Sequence, residues 1–528
     1  MGDPSRSAAR WWEDAVVYQI YPRSFADHDG DGVGDLAGIR DRLDHLSWLG
    51  IDTIWLSPIY PSPMADFGYD VADYCGVDPL FGSLAEFDAL LEDVHRRDMR
   101  LLLDWVPNHT SDAHPWFRDA VSGRDAAHRD FYIWRDPAPD GGPPNNWTDA
   151  FLGAPAWTLD EMSGQYYLHL FLPGQPDLNW ANPEVEAAMH DTLRFWLDRG
   201  VDGFRADVVF AIGKDPALPD DPPEYVGLPH CALHVDEATH PLLRRIRTLL
   251  DSYPQQPMMV GEVVLLDVEL MIPYLGDDDE LHLSFNFAPT HLPWDAGLWR
   301  EAIQAAETAH GRVGAWPTWV LSNHDLPRHR TRFANWPNAE VDATGSEQRA
   351  RAAAVLLTTL RGTPFLYQGE ELGLEDAVVP DDRVLDPGGR DGCRAPIPWD
   401  ASPGHGWQNP WLPLPPDADV RNVATERDDA ESMLHLYRAL LDLRRATVAL
   451  RDGTCELIDT PDGVVGYRRV ADGAAPVTVL ISMSDEPVAV GGITGILLID
   501  SLGKLTVGAG FDGKVAARQA VVVQAASA

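Results

Sequence analysis

Acidic side chains end several apolar, β-branched runs of this chain, a placement that could support catalysis. One run ends at Asp104, later runs end at Asp207 and Glu262, and another ends in the segment 323–325 with Asn, His and Asp. One terminal Asp could simply cap the following helix, but acidic groups at four such ends are hard to attribute to capping. Converging carboxylates suit an oxocarbenium-like transition state: one attacks the anomeric carbon, one protonates the leaving oxygen and one stabilises positive charge.

Neighbouring residues suggest how two of these carboxylates differ. Arg205 lies two residues before Asp207, so both side chains should emerge on the same face of a strand. A guanidinium there keeps the adjacent carboxylate ionised, which a nucleophile requires. Glu262 lies among Val260, Val263 and other apolar residues. Apolar surroundings favour a carboxyl group that holds a proton at neutral pH, as a general acid must.

The strands and helices that position these residues are predicted to form a barrel. Eight apolar runs alternate with amphipathic helical patterns across residues 11–447, which predicts a parallel (β/α)₈ TIM barrel, an α/β fold. Barrel active sites lie at the carboxyl ends of the strands, where the acidic residues occur. Helix start signals support the pattern, because Ser83 with Glu86 forms a capping box and Asn182 precedes Pro183 at a first helical position.

Two further parts complete the predicted domain organisation. The barrel comprises residues 11–109 and 180–447. Residues 110–179 are too long for a plain loop, which predicts a subdomain inserted after strand three, over the barrel mouth. Residues 373–429 form a long Pro, Gly and Asp-rich connection after strand eight. Short alternating runs in 448–528 predict a C-terminal antiparallel β domain, expected to be a β-sandwich.

Composition narrows the classes of partner. The 528 residues carry 82 acidic and 41 basic side chains, a formal net charge of −41. A surface with this much negative charge repels phosphate backbones and anionic lipid. Neither nucleic acid nor a membrane is therefore an expected partner. Cys75, Cys231, Cys393 and Cys455 are far apart, which predicts neither a disulfide framework nor a zinc site. With no apolar span or signal peptide in the sequence, a cytoplasmic location is expected.

The ordered motifs resemble those of glycoside hydrolase family 13, the α-amylase family, over nearly the whole chain. Four motifs lie at strand ends and a fifth ends the inserted subdomain. They are residues 104–109, 203–207, the strand of Glu262, 323–325, and 175–179. The resemblance implies a retaining glycosidase in which Asp207 is the nucleophile, Glu262 the general acid/base and Asp325 the transition-state stabiliser.

Within this family, segments 18–25, 66–70 and 389–394 are similar to those of α-glucosidases and oligo-1,6-glucosidases. The resemblance implies that Asp66 and Arg394 meet and grip the non-reducing-end glucose. The other substrate-binding residues that it implies are Tyr69 and Phe171 as walls, and His109, Arg205 and His324 as partners of hydroxyl groups. A surface ion pair for Arg394 and core packing for Phe171 are the structural alternatives.

The acidic loop 27–35 predicts a metal site. Its alternate carboxylates, with Gly at the turn, resemble the first nine positions of an EF-hand loop. A full EF-hand is not expected, because Gly38 occupies position twelve and no helix precedes the loop. The expected ligands are Asp27, Asp29, Asp31, Asp35 and the Val33 carbonyl. Members of the family with this loop bind calcium or magnesium, so a structural Ca²⁺ or Mg²⁺ is expected; an empty acidic turn is the alternative.

The expected function is an exo-acting, retaining α-glucosidase that releases terminal glucose from short α-glucosides by double displacement. Val208, the residue after the nucleophile, is typical of α-1,6-specific members of the family. The flanking segment 209–214 resembles enzymes that favour maltose, so α-1,4 linkages are slightly favoured over α-1,6, and transglucosylation is compatible with the motifs.

Three alternatives are compatible with parts of the sequence. One is an oligo-1,6-glucosidase. Another is a glucosyl transferase or sugar isomerase of the same family, for which the basic segment 328–332 is typical. The third, a binding protein like the family-like heavy chains of amino-acid transporters, is disfavoured because all three carboxylates are present. The expected partner is a small oligosaccharide or glucoside, and the sequence leaves the oligomeric state open.

Overall fold

The computed structural model describes residues 10–233, 237–334 and 342–525. Its strands, in chain order, are β1 (Val17–Ile20), β2 (Thr53–Leu56), β3 (Arg100–Trp105), β4 (Trp134–Arg135), β5 (Trp157–Asp160), β6 (Gln165–Leu168), β7 (Gly203–Ala206), β8 (Met258–Gly261), β9 (Leu283–Ser284), β10 (Thr318–Val320), β11 (Thr363–Tyr367), β12 (Thr454–Leu457), β13 (Val464–Val470), β14 (Val477–Ser482), β15 (Val488–Ala489), β16 (Gly495–Asp500), β17 (Gly510–Phe511), β18 (Lys514–Val515) and β19 (Ala520–Gln524).

Its α-helices, in chain order, are α1 (Trp11–Asp14), α2 (Leu36–Asp41), α3 (Leu43–Leu49), α4 (Leu84–His95), α5 (Pro115–Ala120), α6 (Pro183–Asp198), α7 (Thr239–Asp251), α8 (Val268–Met271), α9 (Ala296–Val313), α10 (His329–Ala334), α11 (Ala343–Thr359), α12 (Val423–Asp428), α13 (Met433–Ala446) and α14 (Val448–Arg451). No helix in the described part of the chain is long and apolar enough to span a membrane.

Eight parallel strands form the predicted TIM barrel, in the order β10, β11, β1, β2, β3, β7, β8, β9. A side chain joins the two ends of this sheet, because the Thr318 hydroxyl donates to the Ser284 carbonyl at 2.7 Å and accepts the Asn286 N–H at 3.2 Å. Large apolar side chains such as Val17, Trp55, Leu102, Leu283, Val320 and Phe365 fill the interior. The barrel is therefore nearly closed and its centre is a packed core.

The observed strands are shorter than the predicted ones, so the candidate catalytic residues lie just beyond the strand ends. Strand β7 ends at Ala206 and β8 at Gly261, so Asp207 and Glu262 are the first residues beyond them. Each is still held by one more ladder hydrogen bond: the Asp207 N–H donates to the Trp105 carbonyl and the Glu262 N–H to the Ala206 carbonyl, both at 2.8 Å. Both side chains therefore sit on rigid backbone at the mouth of the barrel.

Two predicted helix caps are present. Ser83 Oγ accepts the Glu86 N–H at 3.3 Å, which caps α4, and the Ser83 hydroxyl also donates to the Glu86 carboxylate at 2.8 Å. Asn182 Oδ1 accepts the Glu184 N–H at 2.9 Å, ahead of Pro183 at the first position of α6.

The inserted subdomain and the C-terminal domain are both antiparallel. Between β3 and α6, strands β4, β6 and β5 form a three-stranded sheet beside α5. After α14, strands β12, β13, β14, β19, β16 and β17 form a six-stranded sheet, and β15 pairs with β18. Val515 of the small sheet belongs to the same buried cluster as Leu497 and Val521 of the large one. The fold class predicted from the sequence is confirmed.

Candidate active site

Arg205 gathers three of the strand-end carboxylates. Its Nη1 lies 2.7 Å from Asp104 Oδ1 and 2.6 Å from Asp207 Oδ1, and its Nη2 lies 2.7 Å from Glu262 Oε2. These residues lie at or just beyond the carboxyl ends of the neighbouring strands β3, β7 and β8, which brings their side chains to one point. The guanidinium is 1% exposed, so water screens these ion pairs little.

The cluster carries more negative than positive charge. Burial raises the pKa of Asp207 well above its ordinary value. The negative charges of Glu262 and Asp104 add to this rise, and the positive charge of Arg205 opposes it. Burial likewise raises the pKa of Asp104 to about 7. Burial and the close spacing of three carboxylates around a single guanidinium therefore favour retention of a proton by Asp104 or Asp207.

Glu262 has polar partners that its apolar sequence neighbours do not reveal. Its Oε2 accepts the Val208 N–H at 3.1 Å as well as the contact from Arg205. The surroundings of Glu262 are thus more polar than its sequence neighbours suggest, and its role as the general acid stays a prediction.

Asp325 has the opposite surroundings, rich in positive charge. Its Oδ1 accepts hydrogen bonds from Arg390 Nη1 at 2.9 Å and Arg394 Nη2 at 3.2 Å, and its Oδ2 lies 3.1 Å from His324 Nε2. Burial opposes ionisation, but the contact with His324 and the charges of Arg390 and Arg394 outweigh it and lower the pKa of Asp325 well below its ordinary range. Asp325 is thus ionised at neutral pH and suited to stabilise positive charge.

The predicted contact between Asp66 and Arg394 is wrong, and Arg390 takes its place. Arg390 Nη2 lies 2.6 Å from Asp66 Oδ1, while Nη1 binds Asp325. Arg394 is 0% exposed, so it is not in a surface ion pair, and its Nε donates to the His324 carbonyl at 2.8 Å. The turn between the two arginines leaves Arg390 at the cavity and Arg394 beneath it. Both lie in the segment 389–394, which could have suggested either residue.

Gln175 is a site residue that the sequence reasoning did not single out. Its Nε2 donates to Asp66 Oδ2 at 3.0 Å and lies 3.1 Å from His109 Nε2. Burial lowers the pKa of His109 to about 4, so the ring is neutral and its nitrogen can accept this hydrogen bond. The position of Gln175 in the fifth motif, residues 175–179, could have identified it as a site residue.

Tyr69 and His324 stack under the polar end of the site. Their ring centroids are 5.2 Å apart with an interplanar angle of 9°. Tyr69 Oη donates to Asp104 Oδ2 at 3.0 Å and lies 2.5 Å from His324 Nε2. Burial lowers the pKa of His324 to about 3, so this ring is also neutral.

A cavity of about 320 Å³ opens above these groups. Among the predicted site residues, those that line it are Asp66, Tyr69, His109, Phe171, Asp207, Glu262 and Asp325. Phe171 is half-buried with its ring 5.1 Å from that of His109, so it packs on the core and also faces the cavity. Arg205, His324 and Arg394 lie behind the wall, where they hold the lining carboxylates, and Arg390 and Val208 line the cavity in addition.

The acidic loop brings together only part of the predicted metal ligands. Carboxylate oxygens of Asp27, Asp29 and Asp35 lie within 4.8 Å of one another. Asp31 lies outside this set, because its Oδ1 turns back to accept the Val33 N–H at 2.8 Å. The set offers oxygen donors of full negative charge and fits a hard cation such as Ca²⁺. A role for the Val33 carbonyl stays a prediction.

Comparisons with known proteins agree with this architecture. Residues 19–453 match the family described as "Alpha amylase, catalytic domain". A probable α-glucosidase of Rhizobium meliloti is 42% identical over 509 residues, which cover 90% of each chain. An oligo-1,6-glucosidase of Heyndrickxia coagulans is 38% identical, covering 85% of this chain and 87% of the relative.

A solved structure provides the same comparison in three dimensions. The crystal structure of XgtA, described as an α-glucosyl transfer enzyme, superposes with a TM-score of 0.87 at 39% identity and covers 98% of this chain and 99% of that one. The barrel fold and the converging carboxylates indicate the same family as these matches, which extend over most of the chain. The chain belongs to the α-amylase family, glycoside hydrolase family 13, and is a glycoside hydrolase of the glucosidase type.

Proposed function

We propose that the protein is an exo-acting, retaining α-glucosidase that removes terminal glucose from short α-glucosides. The observation that carries this proposal is the wall formed by Arg390. The Arg390 guanidinium joins Asp66 to Asp325 at the polar end of the cavity, beside Asp207. A closed, charged end accommodates one terminal sugar and leaves no path for a polymer running through the site.

In the proposed first step, an Asp207 carboxylate oxygen attacks the anomeric carbon while the bond from that carbon to the glycosidic oxygen breaks. Glu262 carries the proton of the cluster at this point and transfers it to the departing oxygen. Asp325 faces the positive charge that develops on the sugar ring. Arg205 holds Asp207 and Glu262 through different nitrogens of one guanidinium, which supports their close placement.

In the second step, water gives a proton to Glu262 and its oxygen to the anomeric carbon, while the ester bond to Asp207 breaks. Two inversions return the sugar to its original configuration. Retention requires the two carboxyl groups to lie about 5–5.5 Å apart. We therefore expect α-glucose as the first product by NMR, and β-glucose would contradict the double displacement.

The exo mode has a direct test. At equal mass, maltose or isomaltose should be hydrolysed readily, whereas soluble starch should lose little viscosity and release only glucose. A fast fall in viscosity with oligosaccharide products would mean that polymer chains pass through the cavity. In the same experiment, kcat/KM for maltose, isomaltose and sucrose tests the proposed slight preference for α-1,4 over α-1,6 linkages, with Val208 lining the cavity next to the nucleophile.

Glucosyl transfer is a second candidate, favoured by the likeness to the α-glucosyl transfer enzyme. The basic segment 328–332 gives it less support than the sequence did. Arg328 Nη1 binds the Gln368 carbonyl, and Arg332 Nη2 the Leu321 carbonyl, both at 2.7 Å. Neither arginine lines the cavity. Product analysis from concentrated maltose or sucrose distinguishes free glucose from transfer and isomerisation products.

A structural cation, Ca²⁺ or Mg²⁺, completes the proposal. Asp27, Asp29 and Asp35 would hold it in the loop between β1 and α2. The cation would neutralise three clustered carboxylates and fix this loop. No catalytic step passes through it.

A further inference from the structure

Asp386 is a buried carboxylate in the long connection after β11, and it takes no part in the proposed reaction. It is 2% exposed and does not line the cavity. Both of its oxygens bind the Arg390 side chain, since Oδ1 accepts from Nη2 at 2.6 Å and Oδ2 accepts from Nε at 2.9 Å. Oδ2 also accepts the Arg390 backbone N–H at 2.8 Å. Asp386 therefore holds this arginine at both its backbone and its guanidinium group.

The contact with both oxygens of Asp386 sets the plane of the Arg390 guanidinium. A guanidinium is flat and carries its five N–H groups in a rigid fork. Once Nε and Nη2 are bound to Asp386, the directions of the remaining N–H groups are set as well. Nη2 also meets Asp66 Oδ1 at 2.6 Å, and Nη1 meets Asp325 Oδ1 at 2.9 Å. The contacts with which Arg390 closes the cavity thus depend on a carboxylate outside the cavity.

Asp386 is itself held in place by its neighbours. The carboxylate of Asp391, which is 2% exposed, accepts the N–H groups of Leu385 at 2.6 Å and of Asp386 at 3.1 Å. Arg394 Nη1 lies 3.4 Å from Asp386 Oδ1. Residues 385–394 therefore form a turn that is closed by its own side chains. A side chain that supports a binding group must be rigid itself, and this turn meets that requirement.

Asp386 also carries charge. Burial opposes its ionisation, but the hydrogen bonds and the positive charge of Arg390 outweigh burial and hold the pKa of Asp386 below its ordinary value. The contact is therefore an ion pair with two parallel hydrogen bonds, a geometry that adds both strength and direction. Without Asp386, Arg390 would keep one contact to Asp66 and one to Asp325, and neither sets the plane of the guanidinium.

We propose that Asp386 is a positioning residue for the glucose end of the site, because it orients Arg390 toward both Asp66 and Asp325. This inference rests on the proposed α-glucosidase activity. Misplacement of a binding group by about 1 Å costs up to about a hundredfold in rate. An Arg390 that turns freely should therefore lower kcat/KM even though its charge remains.

Asp386→Asn tests this proposal at constant size. The amide keeps an oxygen that can accept the Arg390 backbone N–H, but it replaces the ion pair with a neutral contact. We expect kcat/KM for maltose to fall about tenfold, as for the loss of one hydrogen bond between charged groups. A thermal melt checks that the variant is folded. Asp382→Asn, the same change at an exposed position of the same connection, is the matched control and should stay within about twofold of the wild type.

The Arg390→Ala background separates positioning from a general structural role. If Asp386 acts through Arg390, adding Asp386→Asn to this background should change kcat/KM by less than about twofold, because the effects of interacting residues do not add. A further tenfold fall in the double variant overturns this inference. A folded Asp386→Asn variant with kcat/KM within about twofold of the wild type overturns it too.

Arg390→Lys is a second test, which does not depend on the folding of an Asp386 variant. Lysine keeps the positive charge but cannot make two parallel hydrogen bonds to Asp386. Its kcat/KM for maltose should fall at least about tenfold. A value within about twofold of the wild type overturns this inference alone. Absence of turnover of every α-glucoside by the folded wild type would overturn the proposed function as well.

Discussion

The active site and the acidic loop are both clusters of carboxylates, but they are neutralised in different ways. Asp104, Asp207 and Glu262 are buried and share the guanidinium of Arg205. In the loop, the partners of the carboxylates are backbone groups: Asp27 Oδ1 accepts the Gly30 N–H at 2.7 Å and its Oδ2 the Gly32 N–H at 2.9 Å.

The difference shows what each cluster is able to do. A buried cluster of carboxylates around one internal cation favours a bound proton, because burial and the neighbouring carboxylates raise the pKa of Asp104 and of Asp207. The loop cluster has dipoles instead of a cation, so it gains most from a metal ion supplied from solution. We therefore propose that the first cluster performs catalysis and that the second stabilises the fold. The following predictions test this division, beginning with the largest effect.

Asp207→Asn should lower kcat on methyl α-glucoside by about a thousandfold or more, because the covalent step is lost. The isosteric amide also removes one negative charge from an over-acidic cluster, so the melting temperature at neutral pH should not fall. Steady-state kinetics and a thermal melt are the measurements. A variant that retains more than about a hundredth of wild-type kcat would place the nucleophile elsewhere.

Arg390→Ala should lower kcat/KM for small α-glucosides by about 10- to 100-fold, the range expected for losing hydrogen bonds between charged groups. Arg383→Ala, an exposed residue of the same long connection, is the matched control and should stay within about twofold. Because the Arg390 charge helps to lower the pKa of Asp325, its removal should raise the pKa of Asp325, which an NMR titration of this carboxyl group measures. An unchanged pKa would mean that Asp325 does not depend on this arginine.

Removal of divalent cations with excess chelator should lower the melting temperature by a few degrees. An ion that binds only the folded loop stabilises the folded protein by mass action. Adding back Ca²⁺ or Mg²⁺ should restore it and identify the preferred ion. Asp29→Asn should abolish the response to chelator. If the melting curves with and without chelator coincide in the wild type, the loop works as an empty turn.

Asp31→Asn should have the smallest effect, leaving the chelator response within about a degree of the wild type. Its carboxylate lies outside the set formed by Asp27, Asp29 and Asp35, and the amide oxygen of Asn can still accept the Val33 N–H. Loss of the chelator response in this variant would show that the loop rearranges around the ion to recruit Asp31.

The sequence by itself determined the barrel, its extra domains and the carboxylates at the strand ends. These features depend on local periodicity and on short motifs, and the parallel order of the strands then brings Asp104, Asp207 and Glu262 together without further information. The capping residues before α4 and α6 are equally local, because Ser83 and Asn182 act within three residues of their own positions.

Only the tertiary structure decided which partners meet across long loops. Arg390 reaches Asp66 over 324 positions of sequence, and Arg394, four residues further on, turns beneath the site. The path of an irregular connection sets this choice, and no periodicity encodes such a path. The contact between Arg205 and Glu262 and the position of Asp31 outside the set of carboxylates in the acidic loop are also tertiary features. Both depend on the directions of side chains, which neighbours in sequence do not fix.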